Sequence, residues 1–208
     1  MPRLLAARGT GSAIIEAAYA LAGAALTIEP TEIYEQAEAR ARARLHKLNP
    51  LGQVPVLVLD DGTVLTESAA MVLLAAEQPG GAVLAPAPDD PQRASFLNWL
   101  VFLVGALYPT FTYGDEPSRY VPGDAGTALR NITDAKREAM WRQVEAAAAG
   151  PWFLGTQRSA IDIYVWVMVH WRPRRAWFRA ETPRLSAIAD ALDAEPLLAG
   201  VKARNGWH

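Results

Sequence analysis

The chain has 208 residues, half of them apolar, and a formal charge of -2. That is enough apolar material for one large core or two modest ones, and Arg and Lys scattered among Asp and Glu leave no basic stripe of the kind a nucleic-acid backbone requires. With no cysteine there is no disulfide framework, no thiolate metal site and no protein thiol nucleophile, so any sulfur chemistry has to arrive with a ligand.

The opening Met1, Pro2, Arg3, Leu4, Leu5 runs on to Gly9, Ser12 and Glu16 without the apolar core and cleavage site of a signal peptide. Apolar stretches near Ala17–Ile28 and Trp99–Tyr108 fall short of the ~20 residues that span a bilayer, so a cytoplasmic location is expected.

Arg3–Ala6 reads as a buried strand, after which Ile14, Ala18, Leu21 and Ala22 recur at helical spacing. Thr27–Glu29 suits a second strand, and Ile33–Lys47, rich in Ala, Glu and Arg, favours helix. Val56–Leu59 and Thr63–Leu65, joined by Asp60, Asp61 and Gly62, read as a hairpin, and Ser68–Glu77 returns to helix. The order βαβαββα is that of a thioredoxin-like domain, expected over residues 1–80.

Pro79, Gly80, Gly81, Pro86, Pro88 and Pro91 form the densest run of chain breakers and predict a linker over 81–91. Beyond it an all-helical bundle is expected over 92–208, with helices at Gln92–Tyr108, Thr133–Ala149, Ala160–Trp171, Pro183–Leu192 and a short one after Pro196. Pro109–Gly126, with three prolines and three glycines, reads as a loop. Ser159 and Asp162 have the spacing of a reciprocal helix cap, Asp standing for the usual Glu. His46, His170 and His208 lack the spacing of a metal site, so no metal is expected, and Arg172, Arg174, Arg175 and Arg179 read as helix-end and solvent charges.

The segment Asn49, Pro50, Leu51, Gly52, Gln53, Val54, Pro55, Val56, Leu57, then Asp60–Gly62, then Leu65, Thr66, Glu67, Ser68 resembles the glutathione-site signature of glutathione transferases. Trp152, Phe153, Leu154, Gly155 followed by Ser159, Ala160, Ile161, Asp162 resembles the capping motif that starts the core helix of that family's second domain. The resemblance covers nearly the whole chain. It implies a cis bond before Pro55, so that the N–H and C=O of Val54 face outward and pair with the cysteinyl backbone of glutathione. Glu67 and Ser68 would hold the γ-glutamyl end, or alternatively cap a helix, and Gln53 would reach the glycine carboxylate or remain a solvated loop residue.

Glutathione is then the co-substrate, and its thiol, with an ordinary pKa of ~8.5, needs a donor to become a thiolate. In the turn Arg8–Ser12 the resemblance points to Ser12 as the catalytic hydroxyl, with Thr10 second and the backbone amides of Gly11–Ala13 assisting; helix capping by Ser12 is the alternative. By the resemblance Gly11 matches the position of the family's cysteine-type residue, which excludes that chemistry, and the absence of tyrosine from Met1–Gly11 disfavours the tyrosine type. Glu16 departs from the basic or neutral residue often found one helical turn beyond. Trp99, Tyr108 and Tyr113 are candidates for a hydrophobic acceptor site, or else core aromatics. The implied activity is conjugation of glutathione to a hydrophobic electrophile by a homodimer, with a glutathione-dependent isomerase or peroxidase, or a non-catalytic binding or regulatory protein, as alternatives.

Overall fold

Residues 1–31, 33 and 39–207 are described in a computed structural model, residues 39–41 by their backbone alone. The chain divides into two compact units, Met1–Ala87 with Ala191–His208, and Pro88–Asp190.

The first unit is built on β1 (Arg3–Ala6), whose Leu4, Leu5 and Ala6 are all buried, the mark of a strand covered on both faces. β1 is followed by α1 (Ser12–Leu21), β2 (Thr27–Pro30), α2 (Ala39–Leu48), β3 (Val56–Val58), β4 (Val64–Leu65) and α3 (Ser68–Ala76). The sheet order is β2-β1-β3-β4, with β1 and β2 parallel and the other pairs antiparallel. This is the expected thioredoxin-like arrangement. The sequence places the start of the second helix at Ile33; residues 34–38 lie outside the described residues, and helix is seen from Ala39.

Nearly every residue of α1 is buried, as its Ala- and Ile-rich composition allows, and it lies against α3. Leu45 of α2 packs with Leu5, Val56 and Val58 in a buried apolar cluster. The same unit contains the last described helix, α10 (Ala199–Asn205), which lies against α1.

The second unit contains α4 (Arg93–Phe102), α5 (Pro109–Asp115), α6 (Ala125–Ala147), α7 (Ala160–Met168), α8 (Arg175–Glu181) and the start of α9 (Pro183–Asp193). The loop expected over Pro109–Gly126 is instead α5, a single 3-10 turn at Pro117–Arg119 and the first residues of α6. Pro109 sits at the first position of α5, where no backbone donor is needed. Ahead of it the helix widens over Leu103–Leu107, with the Tyr108 N–H donating to the Leu103 carbonyl at 2.9 Å, and the Thr110 hydroxyl donates to the Leu107 carbonyl at 2.6 Å. Arg93–Asp115 is thereby a helical run of 23 residues, long and apolar enough by length and composition to cross a membrane. The sequence reading cuts that run short by treating Pro109 as its end.

α6 starts at Ala125 and not at Thr133, α7 ends at Met168 and not at Trp171, and α8 has no counterpart among the expected helices. Within α6 the buried Arg137 donates to the Thr110 hydroxyl (3.0 Å) and carbonyl (2.6 Å) and to Asp134 (2.7 Å), with its guanidinium 4.0 Å from the Phe111 ring centre. Burial lowers its pKa, and the charges of Asp134 and Asp115 oppose that. Arg172 joins the same network through Asp134, Asp115 and the Gly114 carbonyl.

α7 begins with the reciprocal cap read from the sequence. Asp162, wholly buried, accepts from the backbone N–H of Ser159 and of Phe153, each at 2.7 Å, and from the Ser159 hydroxyl at 3.2 Å. Burial raises its carboxyl to about 6 against the pull of those hydrogen bonds.

Candidate functional site

Strand register gathers the sequence-predicted glutathione residues at one end of the first unit's sheet. Leu5 of β1 faces Val56 of β3, so the turn after β1 and the Val54–Pro55 segment before β3 emerge side by side. Leu65 of β4 faces Leu57, so Glu67 and Ser68 leave the sheet at the same end.

The turn from Ala7 to Gly11 enters α1 with Gly9 in the left-handed region at φ 72°. Ser12 has no exposed surface, and its hydroxyl donates to the Ala7 carbonyl at 3.0 Å. Thr10 is half-buried; its Oγ1 lies 2.7 Å from that same carbonyl and 2.9 Å from Ser12 Oγ, and it accepts the Ser12 N–H at 3.3 Å. Two hydroxyl protons thus serve three contacts in a closed triangle. The Thr10 hydroxyl donates to the Ala7 carbonyl here, and its proton can turn to a ligand while Ser12 keeps that carbonyl bonded. Capping by Ser12 does not occur: Gly11 is the N-cap, and the serine hydroxyl points back to Ala7.

The Val54–Pro55 bond is cis, Val54 is half-buried and Gln53 exposed. Sequence reasoning missed what holds this loop. Asn49, buried, donates from Nδ2 to the Gln53 carbonyl at 2.8 Å and accepts the Leu51 N–H at 3.1 Å, closing the loop ahead of Val54. An Asn before a Pro is a turn signal that could have found it. Gly52, at φ 65°, has the His46 ring against its Cα, where a Cβ would come within 2.5 Å of the ring. Replacing Asn49 with Ala is expected to lower the unfolding free energy by roughly 1–1.5 kcal/mol, the worth of the hydrogen bonds that close this loop; urea denaturation of the two proteins measures it.

Glu67 is the N-cap of α3, exposed and extended in backbone, with no side-chain cap bond, and Ser68 is the first helical residue. A carboxylate and the first N–H groups of a helix therefore stand together, an arrangement suited to an ammonium and a carboxylate on one ligand carbon.

The candidate acceptor residues lie in the second unit, in three separate aromatic clusters. Trp99 packs edge-on against Phe102 and Phe153, Tyr108 against Phe111 and Trp171, and Tyr113 against Tyr120. Burial, with the charge of Asp115 next, holds the Tyr108 phenol well above the usual tyrosine range, which makes it a donor and not a base. Among the described residues no group of His, Asp or Glu could hold a metal ion, and His208 lies outside them.

Residues 15–78 match the family described as Glutathione S-transferase, N-terminal domain. Over 169 residues the chain is 35% identical to the uncharacterized GST-like protein YncG of Escherichia coli strain K12, covering 81% of each. It is 33% identical over 165 residues to the glutathione S-transferase GstA of Escherichia coli O157:H7, covering 72% of this chain and 77% of that one. A glutathione transferase from Methylococcus capsulatus strain Bath superposes with a TM-score of 0.81 at 24% identity over 100% of both chains. A sphingomonad glutathione S-transferase complexed with glutathione superposes with a TM-score of 0.76 at 25% identity, covering 99% of this chain and 100% of its own. With sequence kinship over four fifths of its length and a thioredoxin-like sheet followed by helices, the chain belongs to the glutathione S-transferase family.

Proposed function

We propose that this protein is a glutathione transferase of the hydroxyl type, joining the glutathione thiolate to a hydrophobic electrophile. The observation that carries the reading is the convergence, at one sheet end, of the Thr10–Ser12 turn, Val54–Pro55 and Glu67–Ser68. The Val54 backbone pairs with the cysteinyl residue, Gln53 serves the glycine carboxylate, and Glu67 and Ser68 take the γ-glutamyl ammonium and carboxylate. Thr10 donates to the sulfur while Ser12, buried behind it, orients the threonine. The thiol proton passes to solvent, the sulfur lone pair attacks the electrophilic carbon, and the leaving group departs with its bonding electrons.

Residues 1–80 supply the glutathione site, 81–91 the linker, and 92–208 the acceptor residues Trp99, Tyr108 and Tyr113, in a cytoplasmic homodimer. The complete burial of Ser12 favours one second reading, a protein that binds glutathione without turnover. Retention on immobilised glutathione followed by conjugation assays with a panel of electrophiles separates the two. Turnover supports the transferase; binding with no turnover, unchanged by Ser12→Ala, supports the binding protein; no retention removes both.

A further inference from the structure

One polar contact ties α10 to the turn before α1, and another ties it to α1 itself. The Gly9 N–H donates to Oδ1 of Asn205 at 2.8 Å, and the Asn205 amide donates in turn to the Val201 carbonyl at 2.9 Å. Asn205 is buried, and this pairing fixes which end of its amide faces Gly9, because a backbone N–H needs an acceptor and a carbonyl needs a donor. Neither Asp nor Leu can satisfy both partners. One helical turn from Ser12, and so on the same face of α1, the Glu16 side chain is 3% exposed and paired with Nε of Arg204 at 2.6 Å. Gly206, at φ 70°, ends α10 with the Arg8 guanidinium so close that a Cβ would lie 2.0 Å from Nη2.

Glu16 places a carboxylate one helical turn beyond Ser12, and a carboxylate near a thiolate disfavours it. Arg204 offsets that charge, and Asn205 holds the Arg8–Gly9 peptide in the left-handed turn that delivers Thr10 to the Ala7 carbonyl. We infer that α10 is a working part of the thiolate site, with Asn205 and Arg204 as positioning residues that set the acidity of bound glutathione. The inference rests on the reading of the Thr10–Ser12 turn as the seat of the glutathione sulfur.

The test titrates the ultraviolet absorbance of the thiolate of glutathione bound to the full chain, alongside calorimetric affinity. Asn205→Ala is expected to raise the bound thiol's pKa by about half a unit to one unit, with affinity at acidic pH changed less than about twofold. Arg204→Gln is expected to do the same, and Glu16→Gln added to it to return the pKa to the wild-type value, a rescue that loss of packing cannot mimic. Should Asn205→Ala fail to fold, the Arg204 and Glu16 variants carry the test, because the double variant leaves no buried unpaired charge. Wild-type acidity retained in Asn205→Ala and Arg204→Gln overturns the inference while the transferase reading stands. A wild-type protein that binds glutathione without acidifying it, or does not bind it, removes the reading itself and the inference with it.

Discussion

Replacing Asp162 with Ala is expected to lower the unfolding free energy by about 3–5 kcal/mol, the sum of a lost helix cap and two buried backbone donors left without acceptors. Those donors are the N–H groups of Phe153 and Ser159, both satisfied by this one carboxylate. Against the ~5–15 kcal/mol that holds a typical domain folded, such a loss endangers the fold itself. Urea denaturation of the two proteins measures it, with the midpoint shifted and the slope unchanged.

The same carboxyl has a pH signature. Its folded pKa of about 6 stands above the ordinary 3.8, so the folded state binds the proton more tightly than the unfolded chain. Its stabilising contribution is complete below pH ~4 and is lost as pH rises to ~6, a change on the order of 3 kcal/mol. Asp162→Asn, which cannot titrate, is expected to abolish that slope while keeping one acceptor for the cap. Midpoints of urea unfolding compared at about pH 4, 6 and 8 read the difference directly.

Thr10→Val is expected to reduce kcat/KM about ten- to a hundredfold, the worth of one charge-assisted hydrogen bond of roughly 1.5–3 kcal/mol. The pKa of bound glutathione should rise by about 1–2 units in step. Thr10→Ser keeps the hydroxyl and should recover most of the rate. Ser12→Ala should cost less, because the serine is wholly buried and acts by freeing the threonine proton. Steady-state conjugation rates and the thiolate absorbance of the four proteins check both parts, and a Ser12→Ala loss larger than that of Thr10→Val would reverse the assigned roles.

The sequence makes the first unit legible where local chemistry decides. The apolar run Leu4–Ala6 marks the observed β1 of Arg3–Ala6, and Asp60–Gly62 marks the tight link from β3 to β4. The cap of α7 is readable because Ser159 and Asp162 sit three apart and act within one turn. α5 was hidden because Pro109 ordinarily stops a helix, and only the widened turn over Leu103–Leu107 lets the chain continue into it. α8 is short and crowded with Arg and Trp, too brief for periodicity to register.

Of the candidate site, the segments that strand register gathers at one sheet end were readable, since Pro55 and Ser68 already mark them. The roles inside the turn were not. Whether Thr10 or Ser12 faces outward depends on a carbonyl, that of Ala7, which no side-chain pattern reveals. The partners of Gly9 and Glu16 come from residues 196 and 188 positions away, and Asn205 before Gly206 reads locally as nothing more than a helix end.

The central claim is that one end of this sheet binds glutathione and aims its sulfur at Thr10. A crystal structure of the protein grown with glutathione tests it in a single map. The account predicts the cysteinyl backbone paired with the N–H and C=O of Val54 and the sulfur within hydrogen-bonding reach of Thr10 Oγ1. Glutathione bound elsewhere, or bound there with its sulfur turned away from the Ala7–Ser12 turn, contradicts it.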